Sequence, residues 1–431
     1  MLAVGVNGTA IMAALPTMQT ELALGPSGAQ WAINAYLVVS GACIVLGGLA
    51  ADRFGARRTA MVGLALFAAA STIIAMAAGE STLIAARALQ GLAAAFAVPS
   101  TLADVRVAVP LERQGSAIGA WTGFLMLGFS VGPLIGGALT HLVGWRTIFW
   151  LNVALLLSAI VGLSLSGPVI PQADSQRRRP VEWLGFVLLA TFMVALIFAL
   201  HALPHAASAS GQVIAPFVLS VAALMWLLKV ELRAAMPLFD VRFFTQRAFA
   251  IGVVIGSLSM LSIMSFLLYY NLYAQSREGL GLSALEAGAS LLPLCITLLV
   301  AAISASAIAA RVGFRATATM GMALVVLGCA TIGVATTGRG FVLLAIGLSV
   351  LGAGLELPYA IAPRIALSAL SPAQGGQGSG MVNACTFLGG SIGVAGGSIA
   401  FAWGGFVAVL AMLALVGIVG AVLGRCISER A

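Results

Sequence analysis

The stretch at residues 48–58 reads Gly48-Leu-Ala-Ala-Asp52-Arg53-Phe-Gly55-Ala-Arg57-Arg58. It places one acid and three arginines between two long apolar segments, although only 8% of the chain is charged and 61% is hydrophobic. The glycines at 48 and 55 predict a tight backbone turn where two helices approach each other closely. Arginines beside a membrane-spanning segment mark its cytoplasmic end, so the stretch predicts a cytoplasmic turn between two membrane helices.

The composition excludes a soluble globular protein. The chain has 431 residues and a mean hydropathy of +1.10, whereas a soluble domain carries about a quarter charged residues. Apolar runs of ~20 residues follow one another, and each can cross the ~30 Å of hydrocarbon as a helix. The alternating segments of about ten residues that are typical of β-barrels are absent. The predicted class is therefore an all-α integral membrane protein, embedded in a lipid bilayer, whose helices satisfy their own backbone hydrogen bonds.

The residue inventory argues against several other classes. The net charge of +8 comes from cations between the apolar runs, where they set orientation rather than bind nucleic acid. The five cysteines and three histidines lack metal-ligand spacing, and the sequence has no G-x-x-x-x-G-K-[ST] loop. No nucleophile–base pairing stands out, and the first charged residue is Glu21. We therefore expect no enzyme activity, metal, cofactor, bound nucleotide or cleavable signal peptide.

Fourteen apolar runs are long enough to be membrane spans, which places both termini on one side. They cover residues 2–18, 30–51, 59–79, 81–103, 116–139, 146–166, 183–202, 212–230, 248–274, 285–308, 316–336, 341–367, 378–400 and 403–424. Of the 21 lysines and arginines, seventeen fall on the face that carries residues 48–58, and three, Arg146, Arg277 and Arg339, fall on the other. This imbalance predicts a multi-pass protein of the cytoplasmic membrane with both termini in the cytoplasm.

The longest polar insert, residues 167–182, divides the chain into units. It follows an N-terminal six-helix unit (1–166) and precedes two additional spans (183–230), a second linker (231–247) and a C-terminal six-helix unit (248–431). Within the last unit, the sequence Ala-Arg-Val-Gly-Phe-Arg at 310–315 is a partial copy of 52–57, with alanine in place of the acid. Repeated halves are typical of transporters whose substrate site lies between the units.

Two motifs in the N-terminal unit resemble the major facilitator superfamily of transporters. The opening stretch is similar to the loop between that family's helices 2 and 3, and Asp104 at the end of the fourth span is implied to hold the arginines of this loop in one conformational state. Arg87-Ala-Leu-Gln90-Gly91 resembles the family's R-x-x-Q-G motif, whose arginine is implied to assist proton coupling. Snorkelling of Arg87 and a solvated boundary charge at Asp104 are the alternatives.

Further resemblance points to one branch of that superfamily. The fifth span carries Gly128-Phe-Ser-Val-Gly132-Pro133-Leu-Ile-Gly136-Gly137, which resembles the G-x-x-x-G-P-x-x-G-G motif of the antiporters. Residues 7–16, 144–152 and 237–244 are similar to stretches of the fourteen-span drug:proton antiporters. The resemblance covers nearly the whole chain and implies two six-helix bundles plus two extra central helices.

Two positions in the spans bear on how protons would be carried, one where an expected acid is missing and one where an acid is present. The first-helix motif of that family begins with an acid, but this chain has Asn7, and an amide carries no proton near neutral pH. The first span also has only about 15 residues where ~20 are expected, and a trimmed start is one explanation. Glu356 lies near the middle of the twelfth span, and burial favours the protonated form of an acid. We expect Glu356 to replace the missing acid, or else to be paired permanently with a buried cation or hydrogen bonded near Tyr359.

Eight side chains in the spans are candidates for lining a substrate cavity, although interface and packing roles are also open. They are Trp31, Tyr36, Gln90, Trp121, Phe266, Tyr269, Tyr270 and Tyr359. The predicted function is that of a monomeric, proton-coupled exporter of small amphipathic or hydrophobic compounds such as drugs or antibiotics. Proton-coupled uptake of a metabolite and a transport-inactive membrane sensor or binding protein are the alternatives.

Overall fold

A computed structural model describes residues 1–166, 183–203, 210–234, 237, 239–338, 340–371 and 374–427. Within these ranges the backbone is helical apart from short turns, and it contains no strand. The predicted all-helical class is thereby confirmed. The linker at 167–182, Arg339 and the last four residues lie outside the described residues.

The described part of the chain contains fourteen α-helices, numbered here in chain order. The first eight are α1 (Leu2–Glu21), α2 (Pro26–Phe54), α3 (Ala56–Ala75), α4 (Glu80–Ala108), α5 (Leu111–Leu142), α6 (Arg146–Leu165), α7 (Trp183–Ala202) and α8 (Ser210–Arg233). A 3-10 helix (Val241–Thr245) then precedes α9 (Arg247–Gln275), α10 (Ala284–Ser290), α11 (Leu292–Val312), α12 (Phe314–Gly338), α13 (Phe341–Leu367) and α14 (Gly375–Gly424).

The helices correspond to the fourteen predicted membrane segments, with two differences in the C-terminal half. The short α10 and α11 together form one segment, whereas α14 has 50 residues, which is roughly 75 Å of helix and too long for one ~30 Å crossing. The backbone of α14 leaves helical geometry at Gly404 and Gly405, where Gly405 has a φ of 62°. A glycine kink therefore separates the last two segments, where the sequence predicted a break after residue 400.

The first half of the chain packs separately from the second. α1 to α6 contact one another, α9 to α14 contact one another, and the two groups meet where α2 lies on α14, α1 on α9, and α5 on α10 and α11. α7 contacts both α2 and α14, while α8 packs on α7. The arrangement is two six-segment bundles with an extra helical pair beside their seam.

A single glycine turns the chain between α2 and α3. Gly55 has a φ of 95° and its N–H donates to Ala51 O at 3.0 Å, and only glycine adopts such a positive φ at little cost. Gly313, between α11 and α12, repeats this geometry with a φ of 87° and a bond of 2.9 Å to Ala309 O. The partial sequence copy at 310–315 is therefore also a structural copy. We call the face with these two turns the arginine-rich face.

Gly48 does not have the predicted turning or packing role. It lies within α2 and a side chain added there would meet open space, whereas a Cβ on the neighbouring Gly47 would collide with Ala95 O of α4. The close α2–α4 approach therefore depends on Gly47, because the helical rotation points the two glycines in different directions.

The glycines of α5 fix the register of α1. A Cβ at Gly128, Gly132 or Gly136 would collide with α1, at Leu2 O, Thr9 Oγ1 and Ala10 O respectively. Pro133 lacks the N–H that would bond Phe129 O, and Thr9 Oγ1 donates to that carbonyl at 3.0 Å instead.

This register sets the depth of α1 in the bundle. Leu2 lies beside Gly128, which is the middle of α5, and Glu21 reaches the far end, where it accepts hydrogen bonds from Trp145 Nε1 and Arg146 Nη1 at 2.8 and 2.7 Å. The segment predicted over 2–18 therefore occupies the half of the bundle away from the arginine-rich face. Residues 119–124 of α5 are mostly exposed because α1 does not lie beside them.

We expect the α1–α5 contact to be intolerant of added volume. Gly136→Ala should lower the free energy of unfolding by about 1–3 kcal/mol, because the new methyl group must displace the α1 backbone. Gly123→Ala, in the same helix where an added Cβ would meet no other atom within 4 Å, should leave stability unchanged or raise it through helix propensity. Thermal unfolding of both variants in one detergent measures the difference. Equal melting temperatures would contradict the packing described.

Candidate functional site

Arg87 is buried within the N-terminal bundle. Its side chain is 1% exposed, Nε donates to Ala32 O at 2.7 Å, and Nη1 donates to Gln90 Oε1 at 2.6 Å. Gln90 Nε2 donates in turn to Ser71 Oγ at 2.8 Å, and the guanidinium lies 4.7 Å from the centre of the Tyr36 ring. Hydrogen bonds and a cation–π contact thus stabilise the charge inside the protein. This geometry differs from snorkelling, in which the head group would reach the boundary.

Glu356 is the corresponding buried charge-bearing group of the C-terminal bundle. It is 2% exposed, and within the described residues its carboxyl makes no hydrogen bond or ion pair. Glu356 shares one face of α13 with three residues at helical spacing that are only half-buried, Ser349, Ala353 and Ala360. Its carboxyl therefore lies on the least tightly packed stripe of α13. The permanent pairing considered from sequence is therefore not found among the described residues.

Asn7 is paired with a second buried amide that the sequence analysis did not single out. Asn152 Nδ2 of α6 donates to Asn7 Oδ1 at 3.0 Å, and the two side chains are 0% and 1% exposed. The other polar atoms of the pair, Asn7 Nδ2 and Asn152 Oδ1, have no partner among the described residues. The sequence signal for this pair was a lone asparagine in an otherwise apolar span, because a buried amide needs a polar neighbour.

Arg57 joins three helices on the arginine-rich face. Its Nε and Nη2 atoms lie 3.2 and 3.5 Å from the two carboxylate oxygens of Asp104 at the end of α4. Nη1 donates to Ser166 O, just after α6, at 2.6 Å. The structure thus brings together two of the predicted gating residues in a two-point ion pair, and it adds a carbonyl that the sequence did not suggest.

The other charged residues of the opening stretch are exposed. Asp52 and Arg53 lie in the last turn of α2, and the Arg53 guanidinium is 5.5 Å from the centre of the Phe54 ring. Arg58 lies in the first turn of α3. These side chains are at the surface of the face, whereas Arg57 reaches inwards.

The predicted cavity residues fall into different environments. Trp31 stacks on His201 of α7, with ring centres 5.1 Å apart, and it contacts the tilted ring of Phe198 at 4.5 Å. Trp121 is half-buried and donates to Thr101 Oγ1 at 3.2 Å, and Tyr359 is also half-buried. Tyr36 and Gln90 belong to the Arg87 network described above.

Phe266, Tyr269 and Tyr270 lie in close-packed aromatic contacts within the C-terminal bundle. Phe266 and Tyr270 stack at 5.5 Å and both contact Phe406, while Tyr269 contacts Phe401 at 5.3 Å. Tyr269 OH also donates to Val394 O at 2.8 Å. These three side chains pack α9 against α14 in this conformation.

The bundles are closed against each other on the face opposite the arginines. Gln30 Nε2 donates to Ser398 Oγ across α2 and α14, and Gln275 Nε2 of α9 donates to Ala13 O of α1 at 2.9 Å. Gly137 of α5 fits against Ala284 of α10, where an added Cβ would collide with the Ala284 carbonyl. The same conformation contains the Arg57–Asp104 ion pair, so the two features belong to one state.

Comparison with known proteins places this geometry in a family. Residues 1–394 match the family model of the Major Facilitator Superfamily. A solved structure entitled D-xylose-proton symporter superposes with a TM-score of 0.69 over 99% of this chain and 95% of the other, at 14% identity. That likeness is one of fold.

Curated relatives are resistance and export proteins. The chain is 30% identical over 402 residues to the tetracenomycin C resistance and export protein of Streptomyces glaucescens, which covers 91% of this chain and 72% of the relative. It is 28% identical to multidrug resistance protein Stp of Mycobacterium tuberculosis, over 90% of this chain and 72% of that protein. It is 33% identical to methyl viologen resistance protein SmvA of Salmonella typhimurium, over 74% of this chain and 64% of that protein. From the family match, the shared fold and these relatives together, we conclude that the chain is a multi-pass membrane transporter of the major facilitator superfamily.

Proposed function

We propose that this transporter is a proton-driven exporter of small amphipathic or hydrophobic organic compounds. The observation that carries the proposal is Glu356, an acid buried in a membrane helix with no hydrogen-bond or ion-pair partner among the described residues. A charged carboxylate in such a place is costly, whereas the protonated form is tolerated. The group therefore takes up or releases a proton when its access to water changes.

The export direction rests on the relatives and on α5. The named relatives confer resistance or export, and the Gly128–Gly137 stretch that resembles the antiporter motif forms real helix contacts with α1 and α10. The symporter whose fold is shared has 14% identity, so it carries no weight on direction. Uptake is therefore the second candidate among transport modes.

We assign the arginine-rich face to the cytoplasm on the positive-inside rule. The structure then has its extracytoplasmic side closed by the Gln30–Ser398 and Gln275–Ala13 hydrogen bonds. Export requires that this side open while Glu356 exchanges a proton. Arg57 and Asp104 act as a latch that stabilises the present state, because their ion pair ties α3 to α4 at the opposite end.

A transport-inactive sensor or binding protein is the second candidate class, and the Asn7–Asn152 pair favours it. This pair holds no titratable group, whereas the family motif that residues 7–16 resemble begins with an acid. The proposal therefore assigns proton exchange to Glu356, and a test of that residue separates the two classes.

Glu356→Gln should abolish proton-driven export, because the amide keeps the size of the side chain but cannot release a proton. The measurement is efflux of a fluorescent amphipathic dye from proteoliposomes under an imposed pH gradient, with and without an uncoupler. Glu278→Gln, an exposed acid after α9, is the matched control and should behave as the unaltered protein. Uncoupler-sensitive efflux that survives in Glu356→Gln would refute the role of Glu356. Dye accumulation would favour uptake, and an absence of movement in every variant would favour the sensor.

Asp104→Asn should increase the population that is open on the opposite face. An ion pair of this kind contributes about 1 kcal/mol or less, which corresponds to a change of up to roughly fivefold in the ratio of two states. The measurement is the rate of labelling of Ser398→Cys by a membrane-impermeant thiol reagent, in a background without the five native free cysteines.

Arg58→Gln removes an exposed charge from the same turn of α3 and serves as the control for the latch. Its labelling rate should match that of the background, and dye affinity should be unchanged in both variants. If Asp104→Asn labels at the background rate, the latch has no effect on the balance of states.

A further inference from the structure

The outward face of α8 is not covered by any described helix. α8 packs on α7 along one side and meets the 3-10 helix at its end. On the other side, Ala222, Trp226, Lys229 and Arg233 recur at three- and four-residue spacing and are all exposed, with Trp226 57% exposed. Residues at this spacing form one continuous stripe along a helix.

The end of this stripe is strongly cationic. Lys229 and Arg233 lie one turn apart, and Arg242 of the 3-10 helix joins them because its Nη2 donates to Leu232 O at 3.0 Å. The two acids close to this end in sequence both accept backbone hydrogen bonds. Glu231 is buried and its Oε2 accepts from Phe239 N at 3.1 Å, and Asp240 Oδ1 accepts from Arg242 N at 3.1 Å.

The position of the stripe corresponds to the boundary between hydrocarbon and water. Gly185 near the start of α7 lies against the Glu231 carboxylate of α8, so the exposed Trp183 is close to the level of Arg233. Tryptophan is enriched at membrane interfaces, and cations there face phosphate head groups. Trp226 lies two turns deeper, at the depth of the first acyl carbons.

These features give the exposed face of α8 two chemically different ends. Met225 and Trp226 supply the apolar end, and Lys229 and Arg233 supply the cationic end. A phospholipid with a net negative head group matches both ends, because its phosphate meets two cations while its acyl chain covers an aromatic ring. A zwitterionic lipid would bring its own cation to the same place.

We propose that the arginine-rich end of α8 is a binding site for an anionic phospholipid, with the head group on Lys229 and Arg233 and an acyl chain on Trp226. The site depends on the membrane position of α8 and is independent of the direction of transport. Since α7 contacts both α2 and α14, a lipid held here sits on the helical pair that lies beside the seam of the two bundles.

Native mass spectrometry of the whole purified chain tests the site. The chain is titrated in detergent with phosphatidylglycerol or phosphatidylcholine, and we expect phosphatidylglycerol to bind more tightly. Lys229→Gln combined with Arg233→Gln should weaken that binding by roughly tenfold or more, because each cation near the surface contributes to anionic-lipid affinity. Arg311→Gln combined with Arg425→Gln removes two exposed cations from the same face at other helices and should leave the affinity unchanged.

Four results would overturn the proposal. Equal losses in the two double variants would indicate general surface charge, equal binding of both lipids would remove head-group selectivity, and displacement by millimolar inorganic phosphate alone would indicate a free-anion site. Dimer peaks in place of lipid adducts would assign the face to a second copy of the chain. A variant that combines Lys229→Arg with Arg233→Lys keeps both charges and should retain binding. Comparing its thermal unfolding with that of the glutamine double variant shows whether a loss of binding in the glutamine variant comes from misfolding.

Discussion

The structure depends on one constraint: hydrocarbon offers no hydrogen-bond partner, so a polar group inside a span is costly unless it finds one within the protein. Pro133 shows how the constraint connects helices. The proline frees Phe129 O, and Thr9 of α1 supplies the donor for that carbonyl. A local backbone defect thereby becomes a specific contact between α5 and α1, and the same reasoning explains why Arg87 is surrounded by a carbonyl, an amide and an aromatic face.

Close packing adds the second condition. The α5 glycines remove side chains where α1 and α10 approach, so α1 has only one register on α5 and its depth follows from that register. One face of the bundle is then closed by α5 on α10 as well as by α2 on α14, while the other face is held within the N-terminal bundle by Arg57 and Asp104. Closure on one face and the ion pair on the other thus occur together in this conformation.

The helical class and the segments were predictable because hydropathy is a local property of the sequence. The repeated turn was predictable because a glycine marks a position where the backbone can adopt a positive φ. A break between the last two segments was predicted at residues 401–402, but its form as a helix kink at Gly404 and Gly405 was not, because a glycine pair beside an apolar run is equally compatible with a loop. Gly48 was chosen in place of Gly47 since rotation about α2 cannot be read from two adjacent glycines. Partners such as Asn152 for Asn7 and Ser166 for Arg57 depend on which helices meet, and that information is spread over distant parts of the chain.

Arg87 and Glu356, both buried, differ in a way that orders the proposed transport cycle. Arginine stays charged in proteins, and the contacts around Arg87 compensate that charge permanently, so it is a fixed element of the N-terminal bundle. Glu356 has no such compensation among the described residues, so its charge can change only with a proton. Energy from a proton gradient would therefore enter through the C-terminal bundle. The Arg57–Asp104 latch lies in the other bundle, and the signal must cross where α2 meets α14 and where α5 meets α10, which are the contacts that close the opposite face.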